Sequence, residues 1–178
     1  MPVVHEWGAP ISSSMEDATM EDTTIARTIH VIAVVLWIGG VGFVTTVLLP
    51  AVRHMTSPAE RLAFFDDIER RFAWQARMTT LLAGLSGLYM LIRLDAWDRF
   101  LSARMWWMHA MVIVWLLFTL LLFVAEPFFL HRRLRERART RPETTFRAVE
   151  RYHWLLLALS LITILGAIAG SHGLLLLG

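Results

Sequence analysis

Cysteine is missing from this sequence altogether. Its absence removes disulfides, thiolate metal sites and iron–sulfur ligation, and leaves histidine, methionine and carboxylates as the side chains a metal could use. Lysine is missing as well, since all 17 basic residues are arginine. Charge of either sign is scarce, at 18% of residues, against about 25% in soluble domains. The first 24 residues hold five acids (Glu6, Glu16, Asp17, Glu21, Asp22) and no basic residue. That is the reverse of the basic start of a secretory signal, so the first hydrophobic run is expected to be retained. No Ser-His-Asp, phosphate-loop or paired-carboxylate arrangement supports hydrolytic or nucleotide chemistry.

Apolar residues are what the chain has in excess. They make up 56% of 178 residues, with a mean hydropathy of +0.54. Four runs, at about 25–49, 72–94, 105–130 and 152–177, reach the ~20 residues that a helix needs to cross a bilayer core. Backbone polar groups in lipid must be satisfied internally, by helices or closed barrels, and unalternating runs of this length exclude a barrel. The expected fold is therefore all-α: an integral membrane four-helix bundle over residues 25–178, preceded by an external flexible arm, 1–24. Ser57, Pro58 and Glu60 resemble a capping box with proline at the first helical position, which predicts a short interfacial helix before the second span. Pro142 and Glu143 predict a helix start that runs on into the fourth span.

Arginine sets the expected orientation. Eight of the 17 lie between His131 and Arg151, and Arg53, Arg61, Arg70 and Arg71 precede the second span. By the positive-inside bias the first and third loops are cytoplasmic and both termini lie outside, in a bacterial-type cytoplasmic (inner) membrane. Arginine beside anionic lipid explains the basic run without nucleic acid, so membrane lipid is the expected partner and nucleic acid is not.

With that topology the histidines fall in two tiers. His30, His109 and His172 come near the outer ends of spans one, three and four, each in apolar surroundings. His54, His131 and His153 come near the inner ends, and His5 is in the arm. Polar residues inside a membrane tend to face the interior and to serve a site, so the outer tier is the expected metal or cofactor site. Trp37 lies seven residues from His30, on the same helix face. Imidazole suits haem iron, copper or zinc. Met105 and Met108, close to His109, favour copper, while Arg93 and Arg104 at the outer rim suit haem propionates. Arg77 and Glu126, each near the inner end of its span, are expected to form a buried ion pair, which lowers the cost of holding either in the membrane.

His30, Trp37, Gly39 and Gly40, followed downstream by Trp107 and His109, resemble the copper resistance protein D group and the related HemJ-type protoporphyrinogen oxidases. The resemblance implies a four-helix membrane protein. HemJ-type members bind haem b, and their first-span histidine corresponds to His30. Their third-span histidine is followed two residues on by lysine, where this chain has Met111. Similarity to the copper group implies copper uptake or tolerance and needs no enzyme activity.

The leading expectation is a b-type haem-binding, cytochrome-like membrane protein in electron transfer. Two of His30, His109 and His172 would hold the haem, with a quinone or a redox protein as partner; if the chain is an enzyme, it is a membrane oxidoreductase. The alternatives are a copper-binding or copper-transport protein using the same histidines with Met105 and Met108, or an accessory subunit of a larger membrane complex.

Overall fold

The computed structural model describes residues 11–55, 57–130, 137 and 141–173. Residues 1–10 of the arm, His5, His131 with most of the third loop, and positions 174–177 of the fourth run lie outside the described residues. Among the described residues every regular element is helical. Helix α1 spans Ile11–Phe43 and passes through a π-helical segment, Val44–Leu48, into the short α2, Leu49–Arg53. Helix α3 is Pro58–Arg93, α4 is Trp106–Leu120 with a second π segment, Leu121–Leu130, after it, and α5 is Pro142–Ser171.

Two expectations change. Residues 11–24 of the arm are helical and continuous with the first span. The interfacial helix is not a separate element: it is the start of α3, a single helix of 36 residues, about 54 Å long at 1.5 Å per residue. No proline or glycine occurs between Pro58 and Gly84 to stop it. Its first turn closes where the Arg61 N–H donates to the Ser57 carbonyl (3.0 Å). It stops just before Asp95, which adopts a left-handed conformation (φ 43°), a geometry that ends a helix. Helix α5 begins at Pro142, as expected.

The π segments have a local cause. The second contains Pro127 and the first ends two residues before Pro50, and proline inside a helix removes an N–H and crowds the preceding turn. Widening that turn relieves the crowding. Near Pro50 the Thr45 and Thr46 hydroxyls donate to the Val41 and Gly42 carbonyls (2.7 and 2.8 Å).

The helices run antiparallel in sequence. His30 of α1 meets Ala83 and Ser86 of α3, whereas Gly40 meets Phe72. Trp115 of α4 reaches Thr80 of α3, and the rings of Trp106 and Trp107 cover Gly166 and Gly170 of α5. One core gathers Ala33, Trp37 and Val41 of α1, Ala83 of α3, Val114 and Phe118 of α4, and Leu156 and Leu157 of α5. A second, at the Pro50 end, joins Val44, Leu48, Leu49 and Val52.

Large apolar side chains are exposed along the outside of these helices, among them Val35, Leu85, Ile113 and Leu165. Water does not tolerate so continuous an apolar surface; lipid does. Three helical stretches, Ala18–Arg53, Ala103–Glu126 and Glu143–Ser171, are long and apolar enough to cross a membrane. The one that composition does not qualify is α3, where Gln75, Arg77, Thr79, Thr80 and Ser86 dilute the apolar run.

Candidate functional site

His30 lies on the face of α1 that carries Ala26, Ala33, Trp37 and Val41, the buried side of the helix. Its ring is turned onto α3. Nδ1 is 2.8 Å from the Ala83 carbonyl and 3.2 Å from the Ser86 hydroxyl. A carbonyl can only accept, so the proton sits on Nδ1 and donates to Ala83. The Ser86 hydroxyl donates to the Leu82 carbonyl of its own helix (2.5 Å). Gly87 completes the seat, since a Cβ there would stand 3.3 Å from His30 Cε1. The consequence is chemical: Nε2 keeps its lone pair and has no hydrogen-bond partner among the described residues. A histidine fixed through Nδ1 on a carbonyl, with Nε2 available, has the arrangement of a metal ligand.

The other outer-tier histidines are not turned toward it. His109 is exposed in the first turn of α4, with its ring edge-on to Phe100 (5.4 Å between centroids). His172 was expected about five residues inside the fourth span, but it caps the end of α5, because Gly173 takes a left-handed conformation (φ 79°) and stops the helix. Its Nδ1 lies 2.9 Å from the Ile168 carbonyl, one of the acceptors left open at a helix end. Among the described residues no three of His, Cys, Asp and Glu come together in a way that would hold a metal.

Arg93 is occupied at the rim, its Nη2 lying 3.5 Å from Asp22 Oδ2 and 3.4 Å from Thr19 Oγ1. Arg104 is exposed, and Met105 and Met108 are half-buried. In the inner tier, His54 is exposed at the end of α2, and His153 Nδ1 donates to the Val149 carbonyl of its own helix (2.9 Å).

Arg77 and Glu126 do meet, with Nη2 and Oε2 3.2 Å apart. The Arg77 Nε–H also donates to the Leu122 carbonyl (3.0 Å). The backbone explains this second bond. In a π register the Leu122 carbonyl would accept from the residue five positions on, which is Pro127 and has no N–H. Arginine supplies the missing donor, so one side chain satisfies both a buried carboxylate and an orphaned carbonyl.

Trp37 is buried, edge-on to Phe118 (4.8 Å). Its Nε1 and the Thr80 Oγ1 are the buried side-chain polar atoms without a partner among the described residues. In the sequence Ala83 and Gly87 are small residues that mark a close approach of helices, whereas Thr80 and Ser86 are not singled out. Thr80 and Ser86 are polar residues of the least apolar span, which was the available signal.

Compared with known proteins, the chain matches no family model, no curated protein and no solved structure.

Proposed function

We propose that the chain is a four-span protein of the bacterial-type cytoplasmic membrane, with both termini outside, that holds b-type haem near its outer face through His30 and serves electron transfer. The observation that carries this is the seat of His30: Nδ1 is held on the Ala83 carbonyl at 2.8 Å and Nε2 is left as a ligand. Helix α3 is the fourth span. Its length exceeds the ~30 Å of a hydrocarbon core, and its polar groups are met by neighbours rather than by lipid, with Ala83 bonded to α1 and Thr80 to α4. The arginine-rich first and third loops set the orientation.

His30 would be the first ligand of that haem. Ala83 orients the ring, and Gly87 leaves room for it. When bound, haem supplies one-electron chemistry, with a quinone or a redox protein as the exchange partner. His109 and His172 share the His30 end of the bundle and would be the candidates for a second ligand.

The test is the spectrum and metal content of the full chain purified in detergent. A sharp reduced α band is expected, and His30→Ala should abolish it, while His54→Ala should leave it unchanged. Loss of the low-spin signal in His109→Ala or His172→Ala identifies the second ligand. Colourless protein carrying copper, reduced by His30→Ala and further by Met108→Leu, would replace haem with copper. Protein that binds neither would leave His30 a structural hydrogen-bonding residue.

A further inference from the structure

We propose that Trp37 of α1 and Thr80 of α3 share an internal water site, at a level between the Arg77–Glu126 pair and His30. The proposal starts from the behaviour of hydroxyls in helices. A serine or threonine in an apolar helix ordinarily donates to the carbonyl of its own preceding turn. Thr45, Thr79, Ser86, Ser160 and Thr163 all do so, at 2.5–2.9 Å. Thr80 does not, although it is wholly buried (0% exposed). Its hydroxyl makes no bond to its own backbone, and its own carbonyl is already taken by Trp115 Nε1 (2.9 Å).

Trp37 supplies the second, independent observation. At 4% exposure its indole N–H is buried with no acceptor. The ring belongs to the same cluster as Ala83, which is one helical turn from Thr80. A buried N–H and a buried hydroxyl left unmade each carry a desolvation penalty, and native proteins commonly remove it with ordered water.

The chemistry narrows the occupant. An indole N–H can only donate, so a bound cation would gain nothing from Trp37. An apolar ligand would leave both groups unpaired. A water oxygen accepts from Trp37, exchanges a hydrogen bond with Thr80, and keeps a hydrogen for the spare lone pair of a helix carbonyl.

Position then sets the level of the site. Arg77, Thr80 and Ala83 follow at three-residue intervals along α3, each step a rise of about 4.5 Å. Arg77 holds Glu126 (3.2 Å), and Ala83 with Ser86 holds His30 (2.8 and 3.2 Å). A water at this level adds a polar group midway between the two ends, in an otherwise apolar bundle. Neither the site nor its test depends on which cofactor His30 binds.

The experiment uses the full chain in nanodiscs, with ¹⁵N-labelled indoles and the Trp37 signal identified by its loss in Trp37→Phe. Wild-type Trp37 is expected to show magnetisation transfer from water, and Thr80→Ser should retain it. Thr80→Val should lose it and lower the melting temperature by roughly 2–4 °C. Absence of water transfer in the wild type, or a higher melting temperature in Thr80→Val, would overturn the proposal by showing a dry interface with an orphaned hydroxyl.

Discussion

The contacts that α3 makes with α1 and α4 are built of different material from the contact of α4 with α5. On the α3 side, small residues let polar groups cross between helices: His30 reaches the Ala83 carbonyl, Trp115 reaches the Thr80 carbonyl, and Arg77 reaches both Leu122 and Glu126. On the α5 side, two indole rings fill the space above two glycines, Trp106 on Gly166 and Trp107 on Gly170. The first contact is specified by hydrogen bonds, which in lipid have no competing water, and the second by shape. The lesson is that the helix least suited by composition to a membrane is the one its neighbours satisfy most fully. Polarity is tolerated there because His30, Trp115 and Arg77 each find a directed acceptor, and the chemistry-bearing residues collect where that tolerance exists.

The largest effect should come from breaking the polar contact at its charged point. Arg77→Met strands the Glu126 carboxylate and the Leu122 carbonyl together, and removing one partner of a buried pair costs about 3–5 kcal/mol. Thermal unfolding in detergent should show this as a large loss of stability. Adding Glu126→Gln to Arg77→Met should recover part of it, because no unpaired charge then remains. Strict additivity in the cycle of the two single variants and the double variant would show that the pair is not coupled.

That pair was legible in the sequence, because two lone charges in antiparallel apolar runs at equal depth have few other partners. The start of α5 was legible for a similar reason, Pro142 being a local signal. Depth, however, says nothing of direction. His109 shares a level with His30, yet it lies two residues, about 200° of helix rotation, beyond the buried Trp107 and is exposed. Helix α4 is apolar on all sides, so no amphipathic pattern marks which face turns inward. The α5 terminus was misjudged because the apolar run continues past it. Gly173 was the readable signal, a helix-ending glycine directly after His172. The continuity of α3 was missed because a capping box marks where a helix begins and not how far it extends.

A smaller effect should follow from spoiling shape on the other side. A Cβ at Gly170 would collide with the Trp107 ring, which is nearly buried at 8% exposure and has little room to yield. Gly170→Ala should therefore cost about 1–3 kcal/mol as overpacking. Trp107→Leu should relieve most of that when the two are combined. If Gly170→Ala melts like the wild type, α4 and α5 are held by something other than ring-on-glycine contact.

The smallest effect belongs to Ser86, and it sharpens what orients His30. The Ser86 hydroxyl stands 3.2 Å from Nδ1 but donates to its own helix at Leu82, whereas the Ala83 carbonyl is 2.8 Å away and can only accept. If the carbonyl fixes the ring, Ser86→Ala removes a secondary contact and should cost no more than about 0.5–1 kcal/mol. The Nδ1-protonated tautomer should persist in its ¹⁵N spectrum. Ser86→Val is the sterner variant, since it places methyl groups where the hydroxyl met the imidazole. It should displace the ring from Ala83 and shift the tautomer. If Ser86→Ala alone moved the proton to Nε2, the hydroxyl rather than the carbonyl would be the group that orients His30, and the lone pair available for a ligand would be lost with it.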